Sequence, residues 1–381
     1  MRTAYLDCAA SMPVRPEAVA EMTRVLTELP GNPSGAHFAA REARRVLDDA
    51  RDVLGEALGA GPGDIVFTGG GTEADNLAVL GAQGARGGAV VASAVEHPAV
   101  RDPAAALCGR VAPVDSTGRI DLDALAVVLD EVDAVAVVSV MLVNNEVGTI
   151  QPIAEVAEVV RRHAPDAVLH TDAVQALSWV DVATAAADAD LISVSAHKFG
   201  GPKGVGALVV RPGVRLTARQ IGGGQERDRR SGTQNVAGVA AMATAAGLTA
   251  ARRTEDTARV AALRDRLVDG LLAEVPDAVE TGVAGGDRSG RAAGLAHVCF
   301  PGVEAEALLF LLDQAGVAAS AASSCASGAA EPSHVLAAMG VPRDQAAGSL
   351  RLSLGWASTE ADVDRALDVV PGAVTQLRAA R

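Results

Sequence analysis

Continuous apolar runs of strand length, each followed by a helix-length amphipathic segment, recur between residues 64 and 210. DIVFTGG (from Asp64), GGAVVASAVEH, DAVAVVSVMLV, AVLHTDA, DLISVSAHK and GVGALVV read as strands. None alternates apolar with polar residues. That pattern suits strands of a parallel sheet covered on both faces. The segments 73–82, 122–129 and 153–163 read as helices between them. This beat restricts the chain to an α/β fold with a mostly parallel, doubly wound sheet. A long, arginine-laced helix over 254–273 reads as a connector. Beyond it, GLAHVCF and the stretches near Val317 and 350–354 read as strands, and 305–314, 333–339 and 359–370 as helices. That half reads as a smaller α+β unit. The segments 282–291 and 318–332 read as loops. A length of 381 residues allows two or three domains.

Charge narrows the function classes. There are 33 Lys+Arg against 47 Asp+Glu, a net charge of −14. A general nucleic-acid binder would show a basic footprint instead. A small substrate, or a basic protein partner, suits the balance better. The longest membrane-span candidate, 134–143, falls well short of the ~18 apolar residues a span requires. The N-terminal MRTAYLDCAAS lacks the apolar stretch of a signal peptide. The expectation is a cytoplasmic protein without membrane contact. Cys8, Cys108, Cys299 and Cys325 are too scattered for a disulfide framework or a zinc site. No metal is expected, and a solitary cysteine is by default a small buried hydrophobe.

Glycines cluster in GGGTEADN, GGPKGVG and GGGQERDRRSGTQN. In α/β sheets ligands sit outside the carboxyl ends of strands. GGGTEADN follows such an end and opens a helix, so its amides could cradle a phosphate. It could equally be a tight turn capped by Thr72. HTDAVQ delivers Asp172 and Gln175 at another strand end, either as polar groups aimed at a ligand or as surface residues in a turn. In SVSAHKFGG a strand ends on His197-Lys198. Lysine occurs only at 198 and 203, so 33 − 2 = 31 cations are arginines. Schiff-base chemistry needs an amine whose pKa can fall, which a guanidinium cannot supply. Lys198 is therefore a candidate for covalent chemistry. Lys203, among Gly and Pro, has no such claim.

Ten ordered stretches together resemble one family: YLDCAASMPV, GNPSGAH, GGGTEADN, VEHPAV, VNNEVGTIQPI, HTDAVQ, SAHKFGGPKGVGAL, GGGQERDRRSGTQN, SSCASGAAEPSHVL and RLSLG. The chain is similar to the cysteine desulfurases of the NifS/IscS type, within the class V aminotransferase superfamily. The resemblance implies a fold type I pyridoxal-phosphate transferase. Residues 13–252 would form a large cofactor-binding domain. Residues 1–12 would pack with 253–381 as a small one.

The resemblance also implies residue roles. Lys198 would hold pyridoxal 5′-phosphate as a Schiff base and shuttle the substrate Cα proton. Asp172 would pair with the ring nitrogen, Gln175 with the ring oxygen, and His97 would stack on the ring. Gly71, Thr72, Ser195 and His197 would bind the phosphate, joined by Thr233 of a neighbouring subunit in a homodimer. Asn145 and Arg351, with Asn32 nearby, would hold the carboxylate of L-cysteine. Cys325 would accept the sulfur as a persulfide and pass it to an acceptor protein, a scaffold or a thiolation enzyme. Its surroundings fit independently, because a nucleophilic thiolate needs a small, polar setting rather than a core. The implied product is L-alanine. Iron–sulfur cluster assembly, tRNA thiolation and DNA phosphorothioation are the implied destinations of the sulfur. A selenocysteine lyase, another class V enzyme and an inert sulfur-assembly scaffold are the alternatives. The chain departs from the family pattern in SSCASG, at Gln225, at Trp356 and at Gly71, where alanine or serine is usual.

Overall fold

The computed structural model describes residues 3–321 and 333–380. In chain order the elements are β1 (Ala4–Tyr5), α1 (Pro16–Glu28), α2 (Phe38–Leu58), β2 (Ile65–Thr68), α3 (Gly71–Arg86), β3 (Ala89–Ser93), α4 (Pro98–Ala106), β4 (Arg110–Ala112), α5 (Leu122–Asp130), β5 (Val135–Ser139), α6 (Ile153–His163) and β6 (Val168–Asp172). There follow α7 (Val182–Ala185), β7 (Leu191–Ser195), β8 (Gly206–Val210), α8 (Val236–Glu274), β9 (Val279–Glu280), β10 (Leu295–Cys299), α9 (Ala305–Gln314), β11 (Val317–Ala318), α10 (His334–Ala338), α11 (Arg343–Ala346), β12 (Ser349–Ser353) and α12 (Glu360–Ala379).

Seven strands form the main sheet in the order β2-β8-β7-β6-β5-β3-β4. Successive residues of its strands feed opposite cores. Val137, Val168, Leu191 and Leu208 pack on one side. Val138, Leu169, Ile192 and Val209 pack on the other. Period-two alternation puts them there, and because both faces are covered the strands read as unbroken apolar runs.

β8 departs from the parallel expectation. It runs antiparallel to both β7 and β2. The link between β7 and β8, residues 196–205, carries only a short 3-10 turn at Ala196–Lys198. A parallel return needs a crossover of about a dozen residues or more, usually a helix. The short link therefore forces the reversal, and it holds Lys198 at the carboxyl edge of the sheet.

The connector helix is also longer than the sequence pattern indicates. α8 starts at Val236, where the Asn235 side chain accepts from Gly238 N–H at 3.0 Å. Its first third, VAGVAAMATAAG, has no polar face. Ala237, Ala240, Ala241, Ala245 and Ala246 are all buried where α1 and α2 pack on this helix. Without a polar stripe the helical period is invisible in the sequence. Residues 252 and 253 both lie inside this helix.

A three-stranded antiparallel sheet, β12-β10-β9, occupies the C-terminal half. β1 pairs in parallel with β11, and Asp7 bridges to Ser353. The N-terminal segment is thus attached to the C-terminal strands. It then returns to the main sheet, where Met12 N–H donates to the His197 carbonyl at 2.9 Å. Among the described residues no helix is long and apolar enough to cross a membrane.

Candidate active site

The carboxyl ends of β6 and β7, the start of α3, the N-terminal segment and β12 enclose a cavity of ≈ 380 Å³. Gly71, Thr72, His97, Asn145, Asp172, Gln175, Ser195, His197, Lys198 and Arg351 all line it. Ten of the candidate residues thus come together from six separate stretches of sequence.

The phosphate end is built by backbone. β2 runs through Gly69 and Gly70 into α3, whose first residues, Gly71 and Thr72, line the cavity. Gly70 has φ 149°, a conformation that side chains rarely adopt. A Cβ on Gly71 would come within 2.8 Å of Val174 Cγ2, so the usual alanine is absent where valine fills the space. Thr72, Ser195, His197 and Lys203 also line a wider groove on this side. A helix N-terminus combined with hydroxyls suits an anion.

Five side chains define the floor and rim. Asp172 is buried at the end of β6, and its Oδ1 accepts Val174 N–H at 2.8 Å. Burial pushes its carboxyl up to about 6, against the pull of the Val174 amide and of Lys198. Lys198 Nζ donates to the Ala9 carbonyl at 2.5 Å, and Gln175 Nε2 donates to the same oxygen at 2.6 Å. His97 caps α4, its Nδ1 accepting Ala99 N–H at 3.1 Å. Burial, with the nearby Lys198 charge second, lowers its pKa to about 4. The ring is therefore neutral at physiological pH, with its proton on Nε2. His197 is lowered to about 4, first by burial and then by Lys198.

Arg351 projects from β12 and is 6% exposed. Its Nη1 donates to the Asn145 main-chain oxygen at 3.0 Å, and its Nη2 pairs with Asp7 Oδ1 at 3.0 Å. Asn145 thus engages Arg351 through its backbone. Asp7 lies in the YLDCAAS stretch, where nothing in its sequence context gives it a role. Asp75, Met141 and Ser320 likewise line the cavity without a signal that would have selected them.

Two further candidates lie elsewhere. Asn32 is exposed, its Oδ1 accepting Ser34 N–H at 3.0 Å, and Thr233 is exposed. Neither lines the cavity. Cys325 lies outside the described residues. Ser320, shortly before it in sequence, lines the cavity. Cys8 and Cys299 are buried, and burial pushes both thiols up to about 12, unfit for thiolate chemistry. Cys108, expected to be buried, is exposed. It occupies a left-handed turn (φ 54°) between α4 and β4, where no core reaches it.

The donor set fits pyridoxal phosphate. The glycine turn and α3 amides suit its phosphate. The buried Asp172 carboxylate suits a protonated ring nitrogen, and Lys198 offers the amine. Among the described residues no group of His, Cys, Asp and Glu could hold a metal ion.

Comparison with known proteins agrees. The family described as Aminotransferase class-V matches residues 4–366. An "IscS-like cysteine desulfurase" of Mycobacterium tuberculosis is 46% identical, over 99% of this chain and 98% of its own length. The solved structure of a "NIFS-LIKE PROTEIN" superposes with a TM-score of 0.90 at 33% identity, covering 99% of this chain and 100% of that one. A structure titled "SspA in complex with cysteine" superposes with a TM-score of 0.76 at 28% identity, over 92% and 98%.

Proposed function

The chain belongs to the class V aminotransferase family and, within it, to the cysteine desulfurases of the NifS/IscS type, and from that membership we propose the following chemistry for it. It is a pyridoxal-phosphate-dependent desulfurase that converts L-cysteine to L-alanine. The observation that carries the reading is the convergence of one amine, Lys198, with Asp172, His97 and Arg351 on a single cavity.

Pyridoxal phosphate, when bound, supplies an aldehyde for amines and a ring that takes up the electron pair left by the Cα proton. Lys198 holds the cofactor and moves that proton at Nζ. Asp172, as the carboxylate, keeps the ring nitrogen protonated. Neutral His97 would hold the face of the ring and Gln175 would serve its oxygen. Gly71, Thr72, Ser195 and His197 bind the phosphate, with Thr233 reaching in from a second copy of the chain in a homodimer. Arg351 and Asn145 orient the substrate carboxylate, and Asn32, which lies outside the cavity, would join them only by a movement of its loop. A planar guanidinium matches that group bidentately.

The sulfur step balances without an added oxidant. The Cys325 thiolate attacks the substrate sulfur; an S–S bond forms and the substrate Cβ–S bond breaks. The carbon keeps the electron pair and, after protonation, leaves as alanine. Cys325 is left as a persulfide for an acceptor protein. Residues 13–252 act as the large domain, and 1–12 with 253–381 as the small one. Support for that division comes from the pairing of β1 with β11. The protein works in the cytoplasm. The test is alanine formation from L-cysteine by purified, coloured protein. Colourless protein that does not respond to added pyridoxal phosphate would overturn the reading.

A further inference from the structure

Beneath the cavity floor a line of buried polar side chains crosses three adjacent strands. His170 and Asp172 are two residues apart on β6 and so share a face. His170 Nδ1 lies 2.9 Å from Ser139 Oγ on β5, and its Nε2 lies 3.0 Å from Ser193 Oγ on β7. Ser139 is the ladder partner of His170, and Ser193 that of Asp172. From above, α3 lowers Asp75 onto this line. Its Oδ1 is 3.6 Å from His170 Nε2 and has no hydrogen-bond partner there, and its carboxyl lies beside Ser193. At the opposite end Ser139 reaches Glu96, whose Oε1 accepts Met141 N–H at 2.6 Å. Asp75, Glu96, Ser139, His170, Asp172 and Ser193 are all buried, and none is more than 4% exposed.

The mechanism above uses only Asp172 from this set. We infer that Asp75, Ser193, His170 and Ser139 form a charge-neutral positioning chain behind Asp172, leaving Asp172 the anion that faces the ring nitrogen. This rests on the pyridoxal-phosphate reading.

Hydrogen-bond direction argues for it. A protonated Asp75 donates to Ser193. Ser193 then donates to His170 Nε2, His170 Nδ1–H donates to Ser139, and Ser139 is free to donate to Glu96. Each of these four donors finds an acceptor. An ionised Asp75 would instead draw the Ser193 hydroxyl toward itself. His170 would have to carry its proton on Nε2, Ser139 would turn to His170 Nδ1, and Glu96 would lose its partner. Two carboxylates crowded in one dry site do not both ionise. The charged and titratable groups that bear on Asp75 are Asp172, Glu96 and His170. Asp172 has the claim to the charge, because it accepts the Val174 amide and faces Lys198. Burial, then the Asp172 charge, raises Asp75 well above the carboxylate range. Burial alone lowers His170 to about 3.

The experiment compares Asp75→Ala and Asp75→Asn as apoprotein and as holoenzyme. Asp75→Ala leaves Ser193 and His170 without their partner. Its affinity for pyridoxal phosphate should fall roughly tenfold. Asp75→Asn keeps a neutral donor of the same shape, and should recover most of that loss. The pH midpoint of the cofactor's visible band should stay in place in the Asn variant. A displacement of about one unit or more would mean that Asp75 carries charge in the wild type, and would overturn the inference. So would an Asn variant as impaired as the Ala variant. If either variant fails to fold, the wild-type apoprotein decides the matter. Protein carrying ¹³C-carboxyl aspartate should show the infrared carbonyl band of a protonated aspartate at about pH 8, where Asp172 is ionised. Absence of that band refutes the chain. Turnover of cysteine by the wild type tests the parent reading separately, since it does not depend on the state of Asp75.

Discussion

Arg351 Nη2 and Asp7 Oδ1 hold each other at 3.0 Å across the cavity rim, tying β12 to the segment that follows β1. The guanidinium enters the site already oriented, with Nη1 on the Asn145 carbonyl and Nη2 on a carboxylate. A buried cation kept in place this way loses little freedom when a substrate carboxylate arrives. Arg351→Lys removes the planar fork and should raise KM for cysteine about tenfold or more. Asp7→Asn keeps the fork but loosens it, and should raise KM by a smaller factor with kcat nearly unchanged. Steady-state kinetics separates the two; a larger KM effect from Asp7→Asn than from Arg351→Lys would contradict this account.

Lys198→Arg preserves charge and discards the condensing amine. The visible absorption of the bound cofactor should disappear and alanine formation should fall by roughly a thousandfold or more. Retention of the wild-type band would refute the assignment of Lys198.

Gly71 and Val174 compensate each other. A Cβ at 71 would sit 2.8 Å from Val174 Cγ2. Overpacking of this kind costs about 1–3 kcal/mol. Gly71→Ala should weaken cofactor binding severalfold, and the double variant Gly71→Ala with Val174→Ala should restore it. Additive damage in the double variant, read from cofactor titrations, would disprove the coupling.

Much of this was legible in the sequence, for physical reasons that differ between residues. Period and run length announced the parallel sheet because its strands are buried on both faces. β8 was misread because strand direction depends on the length of the link, not on the strand itself. The first third of α8 was hidden because alanine packed on every side leaves no period. Lys198 stood out since an amine at a strand end is rare in an arginine-rich chain. Asp7, Asp75 and Glu96 did not, because among 47 acidic residues nothing local separates a buried carboxylate from a solvated one. Their role comes from tertiary burial, which brings α3 and the N-terminal segment over β6.

Glu146 offers a pH test of that burial. It is 5% exposed, and burial raises its carboxyl to about 7, against the pull of Ser333 and Arg351. In the unfolded chain a glutamate titrates near 4.3. Between those values the folded state binds more protons than the unfolded one. This group therefore lowers stability as pH rises, and its contribution levels off above about 7. Glu146→Gln removes the penalty. The variant should gain stability relative to wild type from about pH 4.3 up to about pH 7, by up to about 4 kcal/mol. Denaturant unfolding of both proteins across that range checks it, and a stability difference independent of pH would contradict it.

The central claim, sulfur transfer from cysteine to Cys325, is tested most directly by intact-mass measurement of the holoenzyme after one turnover with L-cysteine, alongside alanine quantification. The account predicts one added sulfur atom on Cys325 for each alanine released, with neither product from Cys325→Ser, which keeps the cofactor colour. Alanine formed at the wild-type rate by Cys325→Ser would contradict it.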